Sequence, residues 1–176
     1  IARNPNAKRT VFLGDSITDR WKLEKYFNDA SYINRGIDGQ ITGQMLGRFK
    51  QDVIDLKPEV LIILGGINDI SFGFTDVAIR NNLSMMCQLA QSNGIKPILS
   101  SILPINDYYR ELSDQLPPQR IETLNRWIRS YASDNHIGYM DYFSQVVDQD
   151  GFLNRELSND GVHPNEKGYQ IMAVHA

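Results

Sequence analysis

The chain has 176 residues, 41% of them hydrophobic, and a formal net charge of −3. That length suits one domain with a sizeable core, read as a single unit over 1–176. The charge leaves no basic footprint for nucleic acid, no apolar run is long enough to span a membrane, and the lone Cys87 excludes an internal disulfide.

The chain begins at Ile1 rather than Met and ends at Ala176 in what reads as a helix. Periplasmic, secreted and cytoplasmic locations therefore stay open, and nothing in the composition speaks to oligomeric state. Residues 1–9 are polar and read as loosely held. Thr10–Leu13 is a run of strand formers stopped by Gly14. Ser16 then opens an amphipathic segment carrying Trp21, Tyr26 and Phe27, expected to end near Asn28-Asp29. Ser31–Asn34 reads as a second strand closed by Arg35-Gly36. A second helix follows from the stripe Leu46, Phe49, Val53 and Leu56, and Pro58 stops it.

Val60–Leu64 is apolar throughout, as expected of a central parallel strand, and Gly65-Gly66 ends it. A third helix carries Ile79, Leu83, Met86 and Ala90 and ends at Asn93-Gly94. Cys87 lies beside this stripe and reads as core packing, since no activating partner is evident. Pro97–Leu103 reads as strand four. A long loop with Pro104, Tyr108, Tyr109 and Pro117-Pro118 leads to a helix carrying Ile121, Leu124, Ile128 and Tyr131. Ile137–Met140 is strand five, 144–163 an irregular loop, and a last helix starts near Asn165. No internal repeat, low-complexity tract or linker interrupts the chain.

Strands alternating with helices predict βαβ units and a parallel sheet covered on both faces. Ligands of such sheets bind beyond the carboxyl ends of the strands. Ser16, Gly36 and Asn68 all follow strand ends and should share that rim. A serine at a strand-to-helix turn can attack a carbonyl while nearby N–H groups hold the oxyanion, or it can simply cap the helix. The Gly36 N–H can face the cleft, or Gly36 can be a turn glycine. The Asn68 amide can donate to a developing oxyanion, or belong to a turn. In Asp160-Gly161-Val162-His163-Pro164, an imidazole three residues after a carboxylate can be oriented by it or by backbone. His136, on the opposite rim, and His175, at the end of the last helix, are poorer bases.

Gly14-Asp15-Ser16, Gly36, Gly65-x-x-Asn68-Asp69 and Asp160-x-x-His163-Pro164 resemble, in order, the four blocks of the SGNH hydrolase superfamily, the GDSL esterases and lipases. The resemblance covers nearly the whole chain, with Ile17 standing where the family name has Leu. It implies a three-layer α/β/α sandwich with a flavodoxin-like parallel five-stranded sheet in the order 2-1-3-4-5. It implies Ser16 as nucleophile, His163 as base and Asp160 as its orienting acid. The Ser16 and Gly36 N–H groups and the Asn68 amide are the implied oxyanion donors. No cofactor or metal is required. The motif lacks the second glycine of the Gly-x-Ser-x-Gly elbow, which argues against the larger α/β-hydrolase fold.

The activity so implied is hydrolysis of carboxylic esters through an acyl-enzyme. A lysophospholipase or thioesterase of the same fold is the alternative. Two other classes compete. Asp15, Asp19, Asn68, Asp69, Asp160 and His163 can be read as ligands of a metal-dependent phosphoesterase. An inactive copy of the fold would be a carbohydrate-binding module. Candidate pocket walls are Ile70, Phe72, Phe74, Pro104, Tyr108 and Val162. No long insertion supplies a lid, so an open, shallow site is expected, suited to short acyl groups such as acetyl esters of sugars, with a small molecule or carbohydrate ester as the partner.

Overall fold

Short aliphatic runs with no polar face become strands because the sheet they form is buried on both sides. The computed structural model, which describes residues 8–27 and 31–176, has five strands, of which the central two are of this kind. The five are β1 (Thr10–Gly14), β2 (Tyr32–Gly36), β3 (Val60–Leu64), β4 (Lys96–Ser100) and β5 (Gly138–Met140). All pair in parallel, in the order β2-β1-β3-β4-β5, the order expected. Val11, Phe12 and Leu13 of β1 and Leu61, Ile62 and Ile63 of β3 form the buried centre.

The helices are α1 (Ser16–Asp19), α2 (Leu23–Tyr26), α3 (Thr42–Gly47), α4 (Phe49–Asp52), α5 (Ile67–Ser71), α6 (Asp76–Ser92), α7 (Pro118–Asp134), α8 (Tyr142–Val146) and α9 (Glu166–Val174). Right-handed crossovers put α3, α4, α6 and α7 on one face of the sheet and α1, α2 and α9 on the other, completing three layers. On the first face Asn82 of α6 donates to Thr42 Oγ1 of α3 at 3.0 Å. On the second, Trp21 meets Phe12 edge-on at 5.5 Å and stacks on Tyr169 of α9 at 5.6 Å. Cys87 is core, its thiol pushed up by burial to about 12.

β2 runs on to Gly36, α5 precedes the expected third helix, and the element boundaries differ from the sequence reading in four further places. The helix opened by Ser16 breaks after one turn, because Trp21 turns into the core and Asn34 Nδ2 of β2 takes the freed Thr18 and Trp21 carbonyls at 2.6 and 2.8 Å. The second helix splits into α3, α4 and a 3-10 turn at Ile54–Leu56. Arg48 at the break is buried, its guanidinium bonding Gly14 O, Gln40 and Asp52. Strand four stops at Ser100, since both backbone groups of Ile102 are taken by the Asn125 side chain of α7, at 2.7 and 2.8 Å. The irregular loop contains α8, capped by Asp141, and a 3-10 turn at Arg155–Leu157. The expected helix end at Asn28-Asp29 and the loose residues 1–7 lie outside the described residues. Arg9, read with that loose segment, is held by Leu56 O at 2.7 Å and accepts from Glu59 N at 2.8 Å.

Candidate active site

The rim is built first by what lets the chain turn sharply after β1. A Cβ at Gly14 would lie 2.0 Å from Thr18 Oγ1 and 2.7 Å from Leu64 O. Only glycine admits this close return of α1 over the strand end. Asp15, not Ser16, caps α1: its Oδ1 accepts from Ile17 N at 3.0 Å. The hydroxyl of Ser16 is thereby left for other work, and its N–H, first in the helix, has no intrahelical acceptor. Tyr169 of α9 ties down this turn by donating to Ile17 O at 2.7 Å.

From the other end of the chain, a short bridge between Ser158 and Pro164 and the Asn165 cap of α9 close the loop that carries Asp160 and His163. Asp160 Oδ1 accepts from the backbone of Val162 and His163 at 2.9 and 2.8 Å, and Oδ2 meets His163 Nδ1 at 2.6 Å. His163 Nε2 lies 2.9 Å from Ser16 Oγ. Partial burial raises the Asp160 pKa, but the two backbone N–H groups and the His163 ring outweigh it and hold the carboxyl down at about 2. An ionised Asp160 makes Nδ1 the donor, so Nε2 presents its lone pair to the serine hydroxyl. Arg20 Nη1 stands 3.8 Å from Asp160 Oδ2, and its Nη2 holds Asp38 at 3.2 Å.

Gly36 requires a correction. Its N–H donates to Asn34 Oδ1 at 2.7 Å, and a Cβ there would lie 2.0 Å from Asp19 N. It backs onto α1 with its donor spent, so it does not present an N–H to the cleft. Three residues on, Gly39 sits at φ +74° with open space around it. No hydrogen bond engages its N–H among the described residues. It is flanked by Asp38, which lines the cleft, and by Gln40, whose carbonyl accepts one Asn68 Nδ2 hydrogen at 3.0 Å. Asn68 stands in the first turn of α5 and keeps its second amide hydrogen. The Asp38-Gly39 pair, a common turn dipeptide, was the sequence signal for this residue.

Ser16 and His163 open onto a cleft of about 140 Å³. Of the six wall residues read from the sequence, only Val162 lines it. Ile70 and Pro104 are buried in the interior, while Phe72, Phe74 and Tyr108 are exposed outside the lining. Tyr108 instead borders a neighbouring hollow with Asp107, Asp150 and Phe152. The apolar walls are Ile67, Leu112 and Leu116 besides Val162; Ser71, Arg110 and Gln115 supply polar groups that sequence reasoning missed. His136 lies on the opposite rim, beside the start of β4, and His175 caps α9.

Three of the carboxylates read as metal ligands, Asp15, Asp69 and Asp160, serve other ends. Asp69 accepts from Thr42 N and Thr42 Oγ1 at 2.9 and 2.5 Å, tying α5 to α3, while Asp160 serves His163. Among the described residues no group of three or more His, Cys, Asp or Glu side chains gathers around a common point.

A hydroxyl, an imidazole and a carboxylate in line on the carboxyl rim of a parallel sheet have the parts for acyl transfer. The chain belongs to the GDSL-like Lipase/Acylhydrolase family, whose model matches residues 12–171. A GDSL-like lipase structure from Bacteroides thetaiotaomicron is 38% identical, with a TM-score of 0.86, over 96% of this chain and 85% of that one. An acetylxylan esterase of Geobacillus stearothermophilus is 24% identical over 96% of this chain and 91% of its own length. An N-acylneuraminate cytidylyltransferase of Streptococcus agalactiae is 26% identical over 92% of this chain. The chain spans only 36% of that protein's length.

Proposed function

We propose that this domain hydrolyses short-acyl carboxylic esters, acetyl esters of carbohydrates among them, with Ser16 as nucleophile. The observation that carries the reading is the line Ser16 Oγ, His163, Asp160 at 2.9 and 2.6 Å. Ser16 Oγ attacks the ester carbonyl carbon as His163 Nε2 takes its proton. The developing oxyanion is met by the N–H groups of Ser16 and Gly39 and by the free Asn68 amide hydrogen. Collapse expels the alcohol, which takes the proton back from His163. Water, deprotonated by the same nitrogen, then attacks the acyl-enzyme and releases the acid. The ionised Asp160 holds the ring tautomer and stabilises the imidazolium that forms at each step.

The small volume and mixed walls of the cleft support a short acyl group and a polar alcohol, and the similarity to an acetylxylan esterase points the same way. The test is a series of p-nitrophenyl esters of increasing chain length, with acetylated sugars alongside. kcat/KM is expected to be higher on acetyl and butyryl than on dodecanoyl esters. The reverse order, measured below the micelle concentration, would favour a lysophospholipase or thioesterase and overturn the short-acyl reading.

A further inference from the structure

Two charged side chains line the cleft that holds Ser16 and His163: Asp38 and Arg110. They are not equivalent. Asp38 is paired with Arg20, at 3.2 Å. Arg110 forms no ion pair or hydrogen bond among the described residues.

The backbone that carries Arg110 is nevertheless fixed on both sides. Asn106 N donates to Gly161 O at 2.9 Å, and the Tyr109 hydroxyl donates to Ser158 O at 2.9 Å. Just past Arg110, Asp107 Oδ1 accepts from Leu112 N and Ser113 N at 2.7 and 3.0 Å. The loop is therefore pinned to the segment that presents Asp160 and His163, and it places Arg110 on the wall of the cleft that Ser16 and His163 share.

A guanidinium offers a planar fork of donors that matches a carboxylate or a phosphate, and a cleft with low-dielectric walls concentrates its field. Its neighbours Gln115 and Ser71 are neutral and add hydrogen-bonding capacity without competing charge.

We infer that Arg110 selects esters carrying an anionic group, a carboxylate or a phosphate, close to the scissile bond. The inference rests on the ester-hydrolase reading above and names the substrate class of that site. It makes Arg110 a specificity-determining residue: the anion is held while His163 and Ser16 act on the ester.

Three acetyl esters of one shape test it: 4-acetoxybenzoate, 4-acetoxyphenyl phosphate and neutral 4-acetoxybenzamide. In the unaltered domain the ratio of kcat/KM for either anionic ester to that for the neutral one exceeds the same ratio in Arg110→Gln by about tenfold. The difference lies mainly in KM, shrinks as salt is added, and is partly restored in Arg110→Lys. A preference for one anion over the other identifies the group that Arg110 takes. An unchanged ratio in Arg110→Gln, with the acetyl esters still hydrolysed, overturns the role of Arg110 and leaves the esterase reading standing. No hydrolysis of any of the three overturns the esterase reading and this inference with it.

Discussion

Asp15 is wholly buried beside the nucleophile, and its Oδ2 has no hydrogen-bond partner among the described residues. Burial raises its pKa from 3.8 to about 7; the nearby Asp69 adds to this, and the Ile17 N–H on Oδ1 opposes it. The native state thus keeps a proton that the unfolded chain gives up near pH 4, and stability falls as pH rises from about 4 to about 7, then levels off. Asp160 behaves oppositely: held at about 2, it contributes stability that is complete above about pH 4 and is lost as pH falls toward 2. The two windows do not overlap. A series of thermal melts between pH 4 and 8 should therefore show a declining Tm that Asp15→Asn flattens. An equal decline in the variant would mean that another group titrates. None of this was legible in the sequence, where Asp15 reads as part of a motif and as one candidate metal ligand. Its burial is a product of the folded rim, where the Asp69 carboxylate of α5 also comes near it.

The element that departs most from expectation is the turn after β2. Its strand was readable from its residues, and the need for a glycine near its end was too. Which glycine keeps its N–H unengaged was not. That depends on the Asn34 side chain folding back to take the Gly36 N–H and on Gly39 adopting φ +74°, neither of which leaves a local pattern. Asn68 links this turn to α5 through Gln40 O. In the proposed mechanism Asn68 donates where charge develops, and removing one such donor typically costs about 10²–10³ in kcat. Asn68→Ala should lose on the order of a hundredfold in kcat in steady-state assays on an acetyl ester. Wild-type kcat in this variant would leave Asn68 as a brace for the turn alone. The cleft walls were misread for a related reason: Leu112, Leu116 and Arg110 come from a loop whose course is set by Asp107 and by long-range bonds from Asn106 and Tyr109, invisible to periodicity.

On the scale of the whole molecule, the sheet order and the alternation of strand and helix were legible, because apolar runs and glycine stops mark the strands and the crossover rule limits how they connect. The same topology gathers the rim: Ser16 lies 147 positions from His163 in sequence, yet their side chains meet at 2.9 Å. The account stands on Ser16 being the atom that takes the acyl group. Intact-mass analysis after treatment with a fluorophosphonate measures this most directly. One adduct per chain, mapped to the peptide holding Ser16, absent in Ser16→Ala and greatly slowed in His163→Ala, is the predicted result. Labelling of Ser16→Ala at the same stoichiometry would contradict the account.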